Sequence, residues 1–262
     1  MRLDGSVALV TGSSAGIGRA SAERLADAGA HVIVHGRDQQ RLEAVAHDTA
    51  GSALIADLTE EGAVEVLAQA ALAVRGRIDV LVACAGLGWS GPYDEICAEE
   101  INRLVTLNLL APLHLVRLLL PPMLARGSGH LVLVGSVAGR TGVAGEAVYA
   151  ATKAGIDAFA ESLRLELHGS GVGVSLIMPG AVDTDFFRAR GRPYDRRYPR
   201  PVPAEAVAQA IVSAIVEDRP ESWQPGWLRL APLVRALAPT AYRRLSAHFG
   251  ERVRPRSGGG QG

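Results

Sequence analysis

In the stretch GEAVYAATKAG (residues 145–155), a phenol and an amine, Tyr149 and Lys153, stand four residues apart among alanines and glycines. On a helix, residues i and i+4 share a face and their side chains can meet. The chemistry such a pair offers is proton transfer. A phenol titrates near ~10 and is a poor base at neutral pH, but a neighbouring ammonium favours the phenolate. Taken alone, the pair also fits an exposed helix with two incidental polar groups, so the rest of the chain must decide.

A second candidate site lies near the N-terminus. TGSSAGIGRA (11–20) joins an apolar run to a helical one, and holds Gly12, Ser14, Gly16, Ile17 and Gly18. The glycines permit a tight turn and let a diphosphate approach the backbone, and the helix start offers free N–H groups and a positive dipole end. Position directly after a strand and before a helix strengthens this otherwise weak signal. At the end of the next strand, VHGRD (34–38) has Gly36 where an acid would bind the ribose of NAD(H), followed by Arg37. A guanidinium grips a 2′-phosphate, which favours NADP(H), with NAD(H) as the alternative. Arg37 as a plain solvated charge, with Asp38 capping the next helix, is the competing reading.

Such residues need a frame. Apolar runs at 6–10, 31–35, 53–57, 79–84, 130–136 and 173–180 alternate with helical segments. Near-continuous apolar strands with crossover helices indicate an α/β fold: a Rossmann-like, doubly wound parallel sheet with helices on both faces. Gly12, Asp57, the segment Cys84–Gly86, Ser136, Pro179 and Gly180 all fall at strand C-termini, where such sheets bind ligands. The 262 residues fit one domain over about 1–250. The 27 basic and 27 acidic residues cancel, so nothing global attracts nucleic acid. Cys84 and Cys97 are too few for a disulfide scaffold and read as packing residues. With no leader-like N-terminus, a cytoplasmic protein is expected. The apolar segment 104–124 contains Asn108, His114, Arg117 and three prolines, and reads as buried helices, with a subunit interface as one use, rather than as a stable membrane span. No metal site is expected.

TGSSAGIG, DLT (57–59), Asn108, Ser136, YAATK and PGAVDT (179–184), in this order and spacing, resemble the short-chain dehydrogenase/reductase family over about residues 3–217. The resemblance implies an NADP(H)-dependent oxidoreductase moving a hydride between nicotinamide and a ketone or secondary alcohol. It implies Tyr149 as general acid/base, Lys153 as its tuner and a ribose ligand, Ser136 as the group orienting the substrate oxygen, and Asn108 as the holder of a relay water. It further implies Asp57 and Leu58 near adenine, Ala85 and Gly86 along the cofactor, Pro179, Gly180 and Val182 around the nicotinamide, and Thr184 at its carboxamide. A homodimer or homotetramer is implied as well. Where the family commonly has Asn-Asn-Ala-Gly, this chain has ACAG (83–86), so side-chain bonds that steady the strand are expected to be lost.

Two segments should carry substrate information. The candidate lid, about 185–203, has arginines at 188, 190, 192, 196, 197 and 200 against Asp185 and Asp195. A solvated loop accounts for them; selection of an anionic or carrier-bound substrate is the sharper alternative. The helical segment about 228–248 stands where many family members close with a strand. It reads as a flap, a subunit contact or an interfacial helix, with packing within the protein the plainest expectation. The tail 251–262 is low-complexity. An NAD-dependent dehydrogenase of the same fold and a non-catalytic redox sensor stand as alternatives, and the spacing of Tyr149 and Lys153 disfavours an enoyl reductase.

Overall fold

The computed structural model describes residues 1–195 and 199–249. Arg196 and Arg197 of the candidate lid, and the tail 251–262, lie outside the described residues. Seven strands form one parallel sheet: β1 (Val7–Thr11), β2 (His31–Gly36), β3 (Ser52–Ile55), β4 (Val80–Ala83), β5 (Gly129–Val134), β6 (Val172–Pro179) and β9 (Glu221–Gln224). Their spatial order is β3-β2-β1-β4-β5-β6-β9. Two short strands, β7 (Val182–Asp183) and β8 (Val202–Pro203), pair separately. The helices are α1 (Gly16–Asp27), α2 (Gln39–Asp48), α3 (Ala63–Arg75), α4 (Ala98–Val105), α5 (Ala111–Arg126), α6 (Val137–Thr141), α7 (Ala147–Glu166), α8 (Phe186–Ala189), α9 (Ala204–Glu217), α10 (Leu230–Leu237) and α11 (Pro239–Phe249).

Strand side chains alternate between two cores. Leu9, Ile33, Leu81, Leu131 and Leu176 face Leu67 of α3, Leu115 and Leu119 of α5, and Ile156 of α7. Ala8, Val10, Val32, Val82 and Ile177 face Leu25 of α1, Leu42 of α2, and Val207 and Ile211 of α9. Burial on both faces explains why the strands read as unbroken apolar runs. Because β1 lies between β2 and β4, the winding reverses there, and a crevice opens at the C-terminal ends of the strands.

The structure corrects four expectations. A closing strand is present: β9 pairs with β6 from Leu176↔Glu221 to Pro179↔Gln224. Its sequence ESWQ is too short and polar to stand out as a strand, and pairing with β6 supplies what propensity does not. The apolar segment is one helical stretch, Ala98–Arg126, and only 33% of its most apolar window is buried. It breaks the α-helical pattern at Thr106–Leu110, a π-type turn containing Asn108. The C-terminal segment does not bury its apolar residues within the chain: Leu228 is buried, but none of α10 is. Cys97, expected as packing, is exposed at the start of α4.

Candidate active site

Helix α7 carries Tyr149 and Lys153 on its buried face, together with Thr152 and Ile156. The short α6 packs directly on α7 at Gly139, where a Cβ would lie 2.7 Å from the Lys153 carbonyl carbon and 2.8 Å from Ala154 N. That approach brings the start of α6, and with it Ser136, beside Tyr149. Ser136 is the N-cap of α6, its Oγ accepting from Ala138 N at 3.2 Å. Its hydroxyl also faces the Tyr149 phenol, where it favours the phenolate. Capping and contact with the phenol are thus compatible roles for one hydroxyl.

Burial pushes the Tyr149 phenol well above its ordinary range; the Ser136 hydrogen bond and the Arg190 charge oppose this, and the Glu146 carboxylate adds to it. Lys153 donates from Nζ to Val134 O at 2.8 Å, and its Nζ is 5.9 Å from the centroid of the Tyr149 ring. Burial holds its amine down to about 8. Ser136 and Arg190, to which sequence reasoning assigned no part in tuning the phenol, thus favour the phenolate.

Asn108 is locked by two bonds to Leu87, accepting from Leu87 N and donating to Leu87 O, each at 2.8 Å. It also reaches Thr152 Oγ1 at 3.4 Å, and Thr152 Oγ1 in turn donates to Tyr149 O at 2.7 Å. A Cβ on Gly86 would stand 3.3 Å from Asn108 Oδ1 and 3.8 Å from Lys153 Nζ, so these two groups converge on the space that glycine leaves.

A cavity of about 510 Å³ runs along the sheet edge. Every sequence-derived site residue lines it except Asn108, which lies behind Gly86. Gly12, Ser14, Gly16, Ile17 and Gly18 form one wall, with Arg37, Asp57 and Leu58 at one end and Pro179, Gly180, Val182 and Thr184 across from the turn. Gly12 permits close passage of Ala85, whose Cα would be 2.7 Å from an added Cβ. Gly16 has φ +55, and a Cβ there would stand 3.0 Å from the Thr184 methyl. The first turn of α1 has no side-chain cap, so its N–H groups face the cavity unsatisfied by any N-cap side chain. This glycine turn, open helix start and cationic end fit a dinucleotide diphosphate. At the ACAG departure Thr11 Oγ1 accepts from both Cys84 N and Ala85 N at 3.1 Å and steadies the strand end.

Arg37 pairs with Asp57 at 3.0 Å across the mouth of the cavity. The Asp38 cap is present as well, accepting from Arg41 N at 3.1 Å. A Cβ on Gly36 would lie 3.3 Å from both Cβ and Oγ of Ser14, so an acidic side chain there would crowd the turn.

At the other end the walls are apolar and aromatic: Leu87, Val143, Phe186, Phe187, Tyr194 and Leu228. Phe186 packs on Tyr149 with ring centroids 5.6 Å apart. The solvated-loop reading of the lid fails at Arg190, which is buried, pairs with Glu146 and lies 4.7 Å from the Phe187 centroid. Arg188 keeps to the surface, 3.1 Å from Asp185. Sequence reasoning gave Glu146 no role; a lone acid in a run of small residues, three before Tyr149, was the available signal.

Residues 6–195, well over half of the chain, match the short chain dehydrogenase family model. The chain belongs to that family. This short-chain dehydrogenase is 35% identical over 191 residues to the 3-oxoacyl-[acyl-carrier-protein] reductase FabG of Escherichia coli, covering 72% of this chain and 78% of that protein. It is 39% identical over 185 residues to the ketoacyl reductase HetN of a Nostoc strain, 69% of this chain and 64% of that one. Among solved structures, a short-chain dehydrogenase from Sphingobium yanoikuyae in complex with NADPH superposes with TM-score 0.80 at 29% identity, over 96% of this chain and 99% of that one. One from Burkholderia phymatum in complex with NAD gives TM-score 0.80 at 26% identity, over 98% and 99%. The doubly wound parallel sheet is thus shared, and a nicotinamide-dependent oxidoreductase is the class to which the short-chain dehydrogenase belongs. Among the described residues no group of three or more His, Cys, Asp or Glu is placed to hold a metal.

Proposed function

We propose that the chain is an NADP(H)-dependent ketone reductase and secondary-alcohol dehydrogenase, built as one domain over about residues 1–250, with Tyr149 as its general acid/base. The observation that carries this reading is that Ser136, Tyr149 and Lys153 line one cavity together with the glycine turn. NADPH, when bound, supplies the hydride that the carbonyl carbon accepts with its electron pair. Tyr149 gives its proton to the carbonyl oxygen as the C=O π bond becomes an O–H bond. Ser136 fixes that oxygen by hydrogen bonding. Lys153 and Asn108, converging at Gly86, form the path by which the phenolate regains a proton. In the reverse direction Tyr149 accepts the proton of the alcohol.

Two observations support NADP(H) over NAD(H): no acid stands at the end of β2, and both Arg37 and Arg41 line the cavity there. The exposed Arg37–Asp57 pair is weak, so a 2′-phosphate can draw the guanidinium to itself. The aromatic walls favour an apolar ketone. A ketoacyl thioester is the second reading, favoured by the likeness to FabG and HetN; Arg190, a lid arginine that lines the cavity, is engaged by Glu146.

The test is oxidation of NADPH by the wild type and Tyr149→Phe over apolar ketones, diketones and ketoacyl thioesters. Turnover should fall by about 10² to 10⁴ in the variant, with NADPH affinity unchanged. Tight NADPH binding without turnover on any ketone would replace the enzyme with a redox sensor, and turnover equal in both proteins would remove Tyr149 from the chemistry.

A further inference from the structure

The C-terminal helices present a surface that the described residues leave uncovered. Trp227 is 55% exposed, Leu230 52%, Leu233 52%, Val234 43% and Leu237 78%. Their spacing of three and four residues puts them on one side of the helical segment that begins at Gly226 and continues through α10. This segment is not a loose end. Leu228 is buried against Gly180, Arg235 donates to the carbonyl of Arg140, and Tyr242 Oη donates to Thr141 O at 3.3 Å. Leucines on a helix held at three points are displayed by the fold.

Charge says what covers them. From Ser222 to Gly250 the sequence has arginines at 229, 235, 243 and 244 and not one Asp or Glu, in a chain whose 27 basic and 27 acidic residues cancel. All four arginines are exposed. A symmetric contact between two copies through this patch would set arginine against arginine. An apolar stripe with a tryptophan, set among cations only, instead suits the boundary between acyl chains and anionic headgroups. Pro239 separates α10, of 8 residues, from α11, of 11, each too short to span a bilayer but able to lie flat upon one. We infer that residues 227–244 form a reversible docking surface for a membrane rich in anionic phospholipid. Leu228 lines the candidate substrate cavity, so a docked molecule holds the apolar end of that cavity near the lipid.

The experiment is co-sedimentation of the full chain with large unilamellar vesicles of phosphatidylcholine, or of phosphatidylcholine mixed with phosphatidylglycerol. The mixed vesicles should bind the protein at least about tenfold more tightly, and added salt should weaken that binding. Leu233→Asp/Leu237→Asp should abolish it, and Arg243→Gln/Arg244→Gln should weaken it by roughly tenfold or more. Because all four positions are exposed, melting temperature and NADPH affinity should match the wild type and certify the fold. Absence of binding to the mixed vesicles overturns the inference, as does binding unchanged in both variants. If the aspartate variant instead dissociates an oligomer in light scattering, with no vesicle binding by the wild type, a second copy is the occupant and the inference fails.

Discussion

The Arg190 guanidinium, from the end of α8, reaches the Glu146 carboxylate at the N-cap of α7, three residues before Tyr149. Both side chains are buried, so the pair joins the candidate lid to the start of the helix that carries Tyr149 and sets two opposite charges beside one phenol. Removing one partner of a buried pair is costly, because the other is left desolvated. Arg190→Met should therefore destabilise the protein by about 3–5 kcal/mol, and Glu146→Leu/Arg190→Met should recover most of that loss in urea melts. The pH profile of alcohol oxidation gives a second readout. Glu146 raises the phenol and Arg190 lowers it, so Glu146→Gln should move the rising limb to lower pH and Arg190→Met to higher pH. Movement of both limbs in the same direction would remove the electrostatic role.

Arg37 gives a test confined to the cofactor. Charge-assisted hydrogen bonds contribute about 1.5–3 kcal/mol. Arg37→Ala should raise KM for NADPH by about tenfold to hundredfold and leave that for NADH within about twofold. An equal rise for both would reduce Arg37 to a partner of Asp57.

Lys153 sets an alkaline limit. Burial holds its amine down to about 8, so the ammonium is present below that pH and lost above it. For carbonyl reduction, kcat/KM should be level below pH about 8 and then fall by about tenfold per unit. Arginine keeps its charge throughout this range. Whatever residual activity Lys153→Arg retains should lack the limb, and a limb of the same midpoint in that variant would assign it to another group.

Two histidines set an acid limit on stability. Burial lowers His35 and His130 from the ordinary 6.5 to about 4. The unfolded chain takes up protons as pH falls through 6.5, while the fold resists until about 4, so their contribution is complete above 6.5 and is lost as pH falls towards about 4. Each histidine contributes a slope of about 1.4 kcal/mol per pH unit within that window. Urea midpoints of wild type and His130→Asn across it should differ in slope by that amount. Parallel curves would show that His130 protonates as readily in the fold as in the unfolded chain.

The sheet was legible because five of its seven strands, β1, β2, β4, β5 and β6, are buried almost throughout and announce themselves by composition. The seventh, β9, has only four residues, and its place is fixed by β6 rather than by its own sequence. The catalytic candidates were legible for a related reason: Tyr149 and Lys153 are neighbours on one helix, and Ser136 follows closely on a strand. What the sequence concealed depends on long-range contact. Arg190 looked like one cation among six in a loop, and only the fold shows it buried against a residue 44 positions earlier. Burial of the Tyr149 phenol, which raises it, likewise follows from the fold and not from the residues beside it in sequence. The C-terminal leucines carried a helical period, but period alone does not say whether a stripe faces inward.

Arg140 gives the C-terminal helices a further meaning. Its guanidinium grips Asp157 of α7 and Glu221 of β9 and lies 5.3 Å from the Trp223 ring, while its own carbonyl receives Arg235 of α10. It stands four residues after Ser136, on the same short helix. The last helices are in this sense a buttress for the wall that holds the candidate substrate serine, and a chain cut short before them would lose part of its masonry rather than an ornament.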